Sequence, residues 1–529
     1  MTAPSSPCQV LIAGAGPTGL VLALWLTLQG VKVRIVDKTA EPGTTSRALA
    51  VQARTLELYR QAGLSDTVVE RGHKTSAANM WVKGERVARV PLDQIGKALS
   101  PYAFMLIFPQ DQHEKLLIER LSGLGVEVER LTELLGFEDG PDGVTAHLKR
   151  ADGSEETVGA DYIAGCDGAR SVVRHTINAE FEGGTYQQVF YVADVEAHGP
   201  SVNGELHIDL DQADFLAVFP MAGEGRARFI GSVRDDKFPA AGEPGKTDVP
   251  LLTFDDIDRR GLENMKVEID KVNWFSTYRV HHRVTDRFRQ GRAFLAGDAA
   301  HIHSPAGGQG MNTGIGDAIN LAWKLAAVLN GKAPDALLDS YQAERLGFAR
   351  RLVATTDRAF TLATSEGHLA GIIRTRLAPL LIPRIAKLDA AREFLFRTVG
   401  QLIVQYRQGP LASGKAGHIH GGERLPWAPV DGHDNFGSLA AIRWQVHVYG
   451  QARADLAAWC QTNAVPLTVF PWRAEYEDAG LARDALYLLR PDSYIALADP
   501  TASPQALADW FSARGLQLDV AQPPHARLD

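Results

Sequence analysis

Two kinds of apolar run open the chain. Residues 9–13 are a short one, unbroken after Gln9, and residues 20–29 a longer one that is apolar on every side as far as Leu26. The first predicts a buried parallel strand, the second a buried helix. A second strand, residues 32–36, ends at Asp37. The pattern then predicts helices over 55–62 and 112–124, short alternating strands over 74–102, and hairpin strands over 131–160 that turn at Asp139-Gly140 and Asp152-Gly153. Two further apolar strands, 162–166 and 292–296, run into Asp167-Gly168 and Gly297-Asp298. Residues 181–285 read as antiparallel β, 339–407 as a long helical region broken at Pro379 and Pro383, and 408–422 as a linker. The tail alternates strands and helices over about a hundred residues, a normal domain size.

Between the first strand and helix stands Gly14-Ala15-Gly16-Pro17-Thr18-Gly19, and Asp37 follows 18 residues after Gly19. This is GxGxxG with a strand before it and a helix after it, the context in which glycines let a pyrophosphate approach a helix N-terminus. Asp37 can accept from a ribose hydroxyl, and an acid there disfavours a 2′-phosphate. Arg47, in Thr44-Thr45-Ser46-Arg47-Ala48, suits a phosphate by its guanidinium geometry, although a solvated surface arginine accounts for it equally well.

A second glycine-rich entry lies at residues 291–331. Asp298 sits at a strand's carboxyl edge, where ligands bind in α/β sheets. Residues 301–310, with Pro305, Gly307, Gly308 and Gly310, are too rich in glycine for regular structure and allow close backbone approach to a ligand. Ile315, Ala318, Ile319, Ala322, Leu325, Ala326 and Leu329 then recur at helical spacing up to Gly331. The first turn, Gly310-Met311-Asn312, carries no carboxylate before Asp317, so its N–H groups remain for an anionic or electron-rich group.

With 529 residues the chain can hold several domains, and 45% apolar with 22% charged residues is a soluble globular composition. A net charge of -8 argues against nucleic acid or an anionic membrane as partner. Cys8, Cys166 and Cys460 show neither CxxC nor metal-ligand spacing, so no disulfide framework and no metal site are expected and the reducing cytoplasm fits. The apolar run 10–26 has no Lys or Arg before it and is broken by glycines and a proline, unlike a signal peptide or membrane span.

Gly14 to Gly19, Asp167-Gly168, and Gly297-Asp298 followed by residues 305–312 together resemble the single-component, FAD-dependent aromatic hydroxylases, in particular the phenol and polyketide hydroxylase branch. The resemblance implies an α/β fold: a Rossmann-type, p-hydroxybenzoate hydroxylase-like FAD-binding domain (1–73, 103–180, 286–408), an inserted antiparallel β substrate domain (74–102, 181–285) and a thioredoxin-like α/β domain (422–529) without its redox CxxC. It implies that Gly14, Gly16, Pro17, Thr18 and Gly19 hold the FAD pyrophosphate with Arg47, that Asp37 and Lys38 lie at the adenosine ribose, and that Gln110 stands beside the flavin. Asp167 would serve FAD and NAD(P)H, Gly297 and Asp298 the ribityl chain, and Pro305, Gly308, Gly310, Met311 and Asn312 the isoalloxazine ring.

NADPH or NADH, docking transiently, would reduce FAD; dioxygen would add at C4a; and the distal oxygen of that hydroperoxide would pass to a phenolic or polycyclic ring. The 310–312 amides would stabilise charge on reduced flavin. Phe215, Phe219, Trp274 and Tyr278 could line a dry substrate face, though plain core explains aromatics on a sheet as well. His303, two residues before Pro305, is the catalytic-base candidate against a structural, hydrogen-bonded histidine. Baeyer–Villiger oxygenation, epoxidation and a non-catalytic FAD-binding module remain open. An aromatic small molecule and dioxygen are the expected partners, for a monomer or homodimer.

Overall fold

The computed structural model describes residues 8–43, 48–92, 96, 99–210, 215–233, 252–304, 308–364, 384 and 388–518. Its first sheet orders Arg289–Gln290, Ala293–Leu295, Glu155–Gly165, Cys8–Ala13, Val33–Val36 and Val128–Glu129, with Glu133–Asp139 and Val144–Lys149 attached as an antiparallel hairpin. The four central strands run parallel and in step: Val36 lies beside Ala13, Ala13 beside Gly165, and Gly165 beside Leu295. Segments distant in sequence thus end at one carboxyl edge.

The helix Pro17–Leu28 starts three residues before the apolar run, because the fixed φ of Pro17 already suits a first helical turn. Gly19 through Leu26 are buried, and each buried leucine contributes about 1.5–3 kcal/mol of apolar burial. The α-helix Gly310–Leu329, called the 310 helix after its first residue, packs in the same core. Its apolar spacing predicts one buried face, yet nearly every residue from Asn312 to Ala326 is buried, polar ones included. The Gln110–Ser122 helix likewise begins two residues earlier than the pattern indicated, with Pro109 as its N-cap.

The second sheet orders His301–Ile302, Glu268–Thr285, Phe181–His198, Arg226–Val233, Phe215–Pro220, Leu206–Leu210, Ala77–Val82 and Glu85–Pro91. It is not wholly antiparallel: Leu206–Leu210 and Ala77–Val82 run parallel, since they arrive from separate chain segments instead of through a hairpin. Its edge also corrects the reading of residues 301–310 as irregular throughout, because His301–Ile302 pairs with Arg283 and Val284. That pairing ties the glycine-rich entry of the 310 helix to the second sheet. A small sheet of Ala50–Val51, Met105–Ile107 and His73–Thr75 gives Val51 and Leu106 to the core of the first sheet and Met105 and Ile107 to a cluster with residues of the second.

Residues 408–422 are not a linker. Ser413–Ala416 pairs parallel to Ile495–Asp499 and antiparallel to Ile419–His420, so glycines that read as flexible are turn residues of the C-terminal sheet. That sheet continues through Leu486–Leu489, Gln445–Tyr449 and Leu467–Phe470. The helical region contains Asp339–Thr364 and Asp389–Val399, while Pro379 and Pro383 lie outside the described residues.

Candidate active site

The first strand ends in a turn whose glycines do different work. Gly14 has φ +99°, and a Cβ there would stand 2.3 Å from the Cys166 carbonyl oxygen; a Cβ on Gly19 would stand 2.0 Å from that of Gly14. These two hold strand, turn and helix together. A Cβ on Gly16 would meet nothing within 4 Å, so this glycine keeps open the space in front of the helix N-terminus, where a pyrophosphate fits. Asp37 Oδ2 accepts from the Ala15 amide at 2.7 Å and Oδ1 from Thr39 N–H and Oγ–H at 2.8 and 2.6 Å, which fixes the carboxylate against the turn. Lys38 beside it is exposed.

Asp167 closes the neighbouring strand. Its Oδ2 accepts from the amides of Val172 and Val173 at 2.6 and 3.3 Å, whereas Oδ1 is buried without a partner. Burial raises its pKa. A buried acceptor without a donor is costly unless a ligand supplies one, and FAD or a nicotinamide nucleotide carries suitable hydroxyls.

Gly297 follows the third strand end. A Cβ on it would lie 2.5 Å from Thr18 Oγ1, and one on Gly314 2.3 Å from the same atom, so the Thr18 side chain occupies the seam between the two helices and the Gly297 turn. Asp298 is exposed at that turn. Gln309 caps the 310 helix without a side-chain hydrogen bond, and no acid stands in its first turn. The N–H groups of Gly310, Met311 and Asn312 therefore point outward as donors, as an electron-rich ring edge requires. Met311 is half-buried against the core. The Asn312 side chain accepts from Gln52 N–H and Thr55 Oγ–H at 2.9 and 2.8 Å and donates to the carbonyls of Ala50 and Gly308 at 2.9 and 3.0 Å, so it anchors this loop to the small sheet.

Gln110 donates to Glu114 at 2.8 Å and accepts from the Ala48 amide at 3.4 Å. Arg47, Pro305 and Gly307 lie outside the described residues. His303 Nδ1–H donates to its neighbour's carbonyl, Ser304 O, at 2.8 Å, leaving Nε2 as an acceptor that is buried with no partner. Burial brings its pKa down to about 4, so the ring is neutral near pH 7 and a feeble base toward a phenol, whose pKa is about 10.

The inner face of the second sheet carries all four aromatics. Phe215, Phe219, Trp274 and Tyr278 pack as one cluster with Leu49, Met105, Ile107, Val192 and Ile230. Across this face Trp274, Asp194, Arg228 and Phe219 stand in register on four adjacent strands. Arg228 grips Asp194 with two hydrogen bonds of 2.6 and 2.7 Å, a polar row in an aromatic wall. The face abuts the entry of the 310 helix: Leu49 joins the cluster, while Ala50 lies so near Gly308 that a Cβ there would stand 3.0 Å from its own, and the Ala50 carbonyl accepts from Asn312.

Sequence reasoning did not find Asp317. Its buried carboxylate accepts from Gly297 N–H at 3.0 Å, His301 Nε2–H at 2.6 Å and Arg345 Nε–H at 2.6 Å, and Arg345 also donates to the Thr313 carbonyl at 3.0 Å. Although burial opposes its charged form, Arg345 and His301 hold its pKa below the usual range. One carboxylate thereby locks the Gly297 turn, the His301 strand and the 310 helix to one another. The available signal was a polar stripe, Thr313, Asp317, Asn320 and Lys324, at helical spacing on an otherwise apolar helix.

Three strand ends, a glycine turn open before a helix, a buried acceptor without a donor and an uncapped helix entry together suit a dinucleotide at this edge of the sheet. Residues 7–356 match the family model described as an FAD binding domain, and the chain belongs to that family. It is 34% identical over 519 residues to a 6-methylpretetramide 4-monooxygenase of Streptomyces rimosus, covering 92% of this chain and 90% of that protein. To a 12-dehydrotetracycline 5-monooxygenase/anhydrotetracycline 6-monooxygenase of Streptomyces rimosus it is 33% identical over 540 residues, covering 95% and 98%. Its fold matches the OxyS anhydrotetracycline hydroxylase from Streptomyces rimosus with a TM-score of 0.77 at 28% identity, covering 97% of this chain and 100% of that one. The protein is an FAD-dependent monooxygenase that uses NAD(P)H as reductant.

Proposed function

We propose that this enzyme hydroxylates a fused-ring, phenol-bearing substrate held against the inner face of the second sheet. The observation that carries this reading is the single cluster formed by Phe215, Phe219, Trp274 and Tyr278 beside the loop that enters the 310 helix. The substrates in the names of two relatives, 6-methylpretetramide and 12-dehydrotetracycline, support the same class.

Bound FAD would supply the redox chemistry, hydride uptake from NAD(P)H and activation of dioxygen. The chain's own residues do the rest. Gly14, Gly16 and Gly19 with Asp37 would seat the dinucleotide, the unpartnered Asp167 Oδ1 would take a ligand hydroxyl, and Gly297 and Asp298 would hold the ribityl chain. The amides of residues 310–312 would stabilise negative charge on the ring edge. The aromatic wall keeps water out. His303 accepts a substrate hydroxyl at Nε2 and orients the ring, acting as an acceptor instead of the base that its place in the sequence predicts. The C-terminal strands Gln445–Tyr449, Leu467–Phe470, Leu486–Leu489 and Ile495–Asp499, with one parallel and two antiparallel pairings, support a thioredoxin-like reading of that unit. Without a CxxC it has no disulfide chemistry, and with no helix among the described residues long and apolar enough to cross a membrane, we place the enzyme in the cytoplasm.

The deciding experiment supplies the purified flavoprotein with NAD(P)H, ¹⁸O-labelled dioxygen and a panel of fused polycyclic phenols. Coupled NAD(P)H oxidation with one labelled oxygen on a ring carbon is expected. Labelled lactone or epoxide would replace hydroxylation by the Baeyer–Villiger or epoxidation reading, and NAD(P)H consumption with peroxide alone across the panel would refute the substrate class.

A further inference from the structure

The polar stripe of the 310 helix meets Glu344 and Arg345 of the helix Asp339–Thr364, and through Glu344 and Asn320 it reaches Arg490 and Asp492 of the C-terminal unit. Glu344 and Asp492 face Lys324 and Arg490 in a buried group of two carboxylates and two cations. Lys324 donates to Asn320 and Glu344 at 2.8 Å each, and Asn320 donates to Glu344 at 2.8 Å. Arg490 spans Glu344 at 2.6 and 2.9 Å and Asp492 at 2.9 and 2.6 Å, while Trp323 donates to Asp492 at 3.0 Å. Burial opposes the charge on Glu344, yet Arg490 and Lys324 bring its pKa down to about 2.

Arg490 and Asp492 belong to a turn, residues 490–494, and two routes lead from it to the first turn of the helix Gly310–Leu329. Through Arg54, which donates to Asp492 O at 2.9 Å and Ser493 Oγ at 3.0 Å, the turn grips the helix Ala53–Arg60, whose Thr55 donates to Asn312. Through Tyr406, whose ring lies 5.5 Å from the Arg490 guanidinium and whose hydroxyl accepts from Arg345 at 2.9 Å, it reaches Thr313 O and Asp317. The cavity among these residues measures about 20 Å³. That holds roughly one water, so the junction is a mechanical contact and not a second ligand site.

We propose that Arg490, Asp492 and Ser493 are positioning residues for the flavin: the C-terminal turn is the wall that fixes the amides of residues 310–312 against the ring. A buried ionic group with several bonds per member has one geometry of low energy, so it specifies position where apolar packing would tolerate sliding. Altering the turn therefore alters flavin binding, although it touches the cofactor nowhere.

The test uses the full-length protein carrying Asp492→Asn, Arg490→Met or Ser493→Ala, and Leu456→Ala as a control that opens the C-terminal core at a residue with no polar bond to the turn. FAD affinity of the apoprotein is measured by fluorescence titration, with the visible flavin spectrum and midpoint potential of the reloaded protein. Asp492→Asn, which keeps the volume, is expected to weaken FAD binding at least tenfold, shift the flavin bands and lower the potential. Leu456→Ala is expected to lower thermal stability and leave all three unchanged. Wild-type affinity and spectrum in Asp492→Asn would overturn the proposal, as would an equal loss of affinity in Leu456→Ala. If Arg490→Met does not fold, Asp492→Asn and Ser493→Ala decide the matter alone.

Discussion

Two alanines placed two residues apart should have opposite consequences. Gly14→Ala puts a methyl into the Cys166 carbonyl at a positive φ, so it is expected to lower stability by more than about 1–3 kcal/mol and to show in thermal unfolding of the apoprotein. Gly16→Ala has room for its methyl and should melt like wild type, yet bind FAD at least tenfold more weakly in titration. Unchanged affinity there would remove the pyrophosphate from this position. Asp317→Asn leaves Arg345 buried beside a neutral amide, which is expected to cost about 3–5 kcal/mol in urea denaturation. The glycines were legible in the sequence because a turn is specified by contiguous residues. Asp317 was not, because what makes it matter is three donors brought from Gly297, His301 and Arg345.

At the scale of the element, the second sheet separates two functions by alternation. Trp274 and Phe219 point to the inner face, while Phe229 packs with Val218, Phe254 and Leu262 on the other. Trp274→Ala is accordingly expected to raise KM for an aromatic substrate about tenfold with FAD affinity unchanged, read by steady-state kinetics and titration. Phe229→Ala should instead cost about 3–5 kcal/mol of stability with little change in KM. Reversed effects would mean that the substrate face has been assigned to the wrong side. The aromatic strands were visible as strands, but which face turns inward depends on which neighbour covers each one. Residues 408–422 misled for a related reason: a glycine-rich strand carries little apolar signal, and its pairing partner lies at Ile495–Asp499.

The whole molecule has an acid limit set by buried neutral histidines. His113 lies in the first core and His447 in the C-terminal sheet, both fully buried, and burial lowers their pKa values to about 4 and about 3. An unfolded histidine takes its proton near pH 6.5, so between that pH and the folded pKa the unfolded chain binds more protons. Their stabilisation is complete above about pH 6.5 and is lost as pH falls toward 4. At pH 5 the loss is on the order of 2 kcal/mol per histidine. The urea midpoint should therefore fall between pH 7.5 and 5, and His447→Gln should flatten that slope. An equal slope in the variant would show that His447 ionises normally in the folded protein.

By itself the sequence determined the chemistry of each strand end: a glycine turn, an acid at the edge, a helix entry without a carboxylate. All of these are local, since backbone conformation and end-of-helix dipoles depend on residues a few positions apart. Only the tertiary structure decided that the three ends meet in one register, that Asp317 and the 490–494 turn hold the 310 helix, and which aromatic face looks inward. The reason is burial: the cost of an unpaired charge and the choice of its partner arise only when distant segments exclude water together.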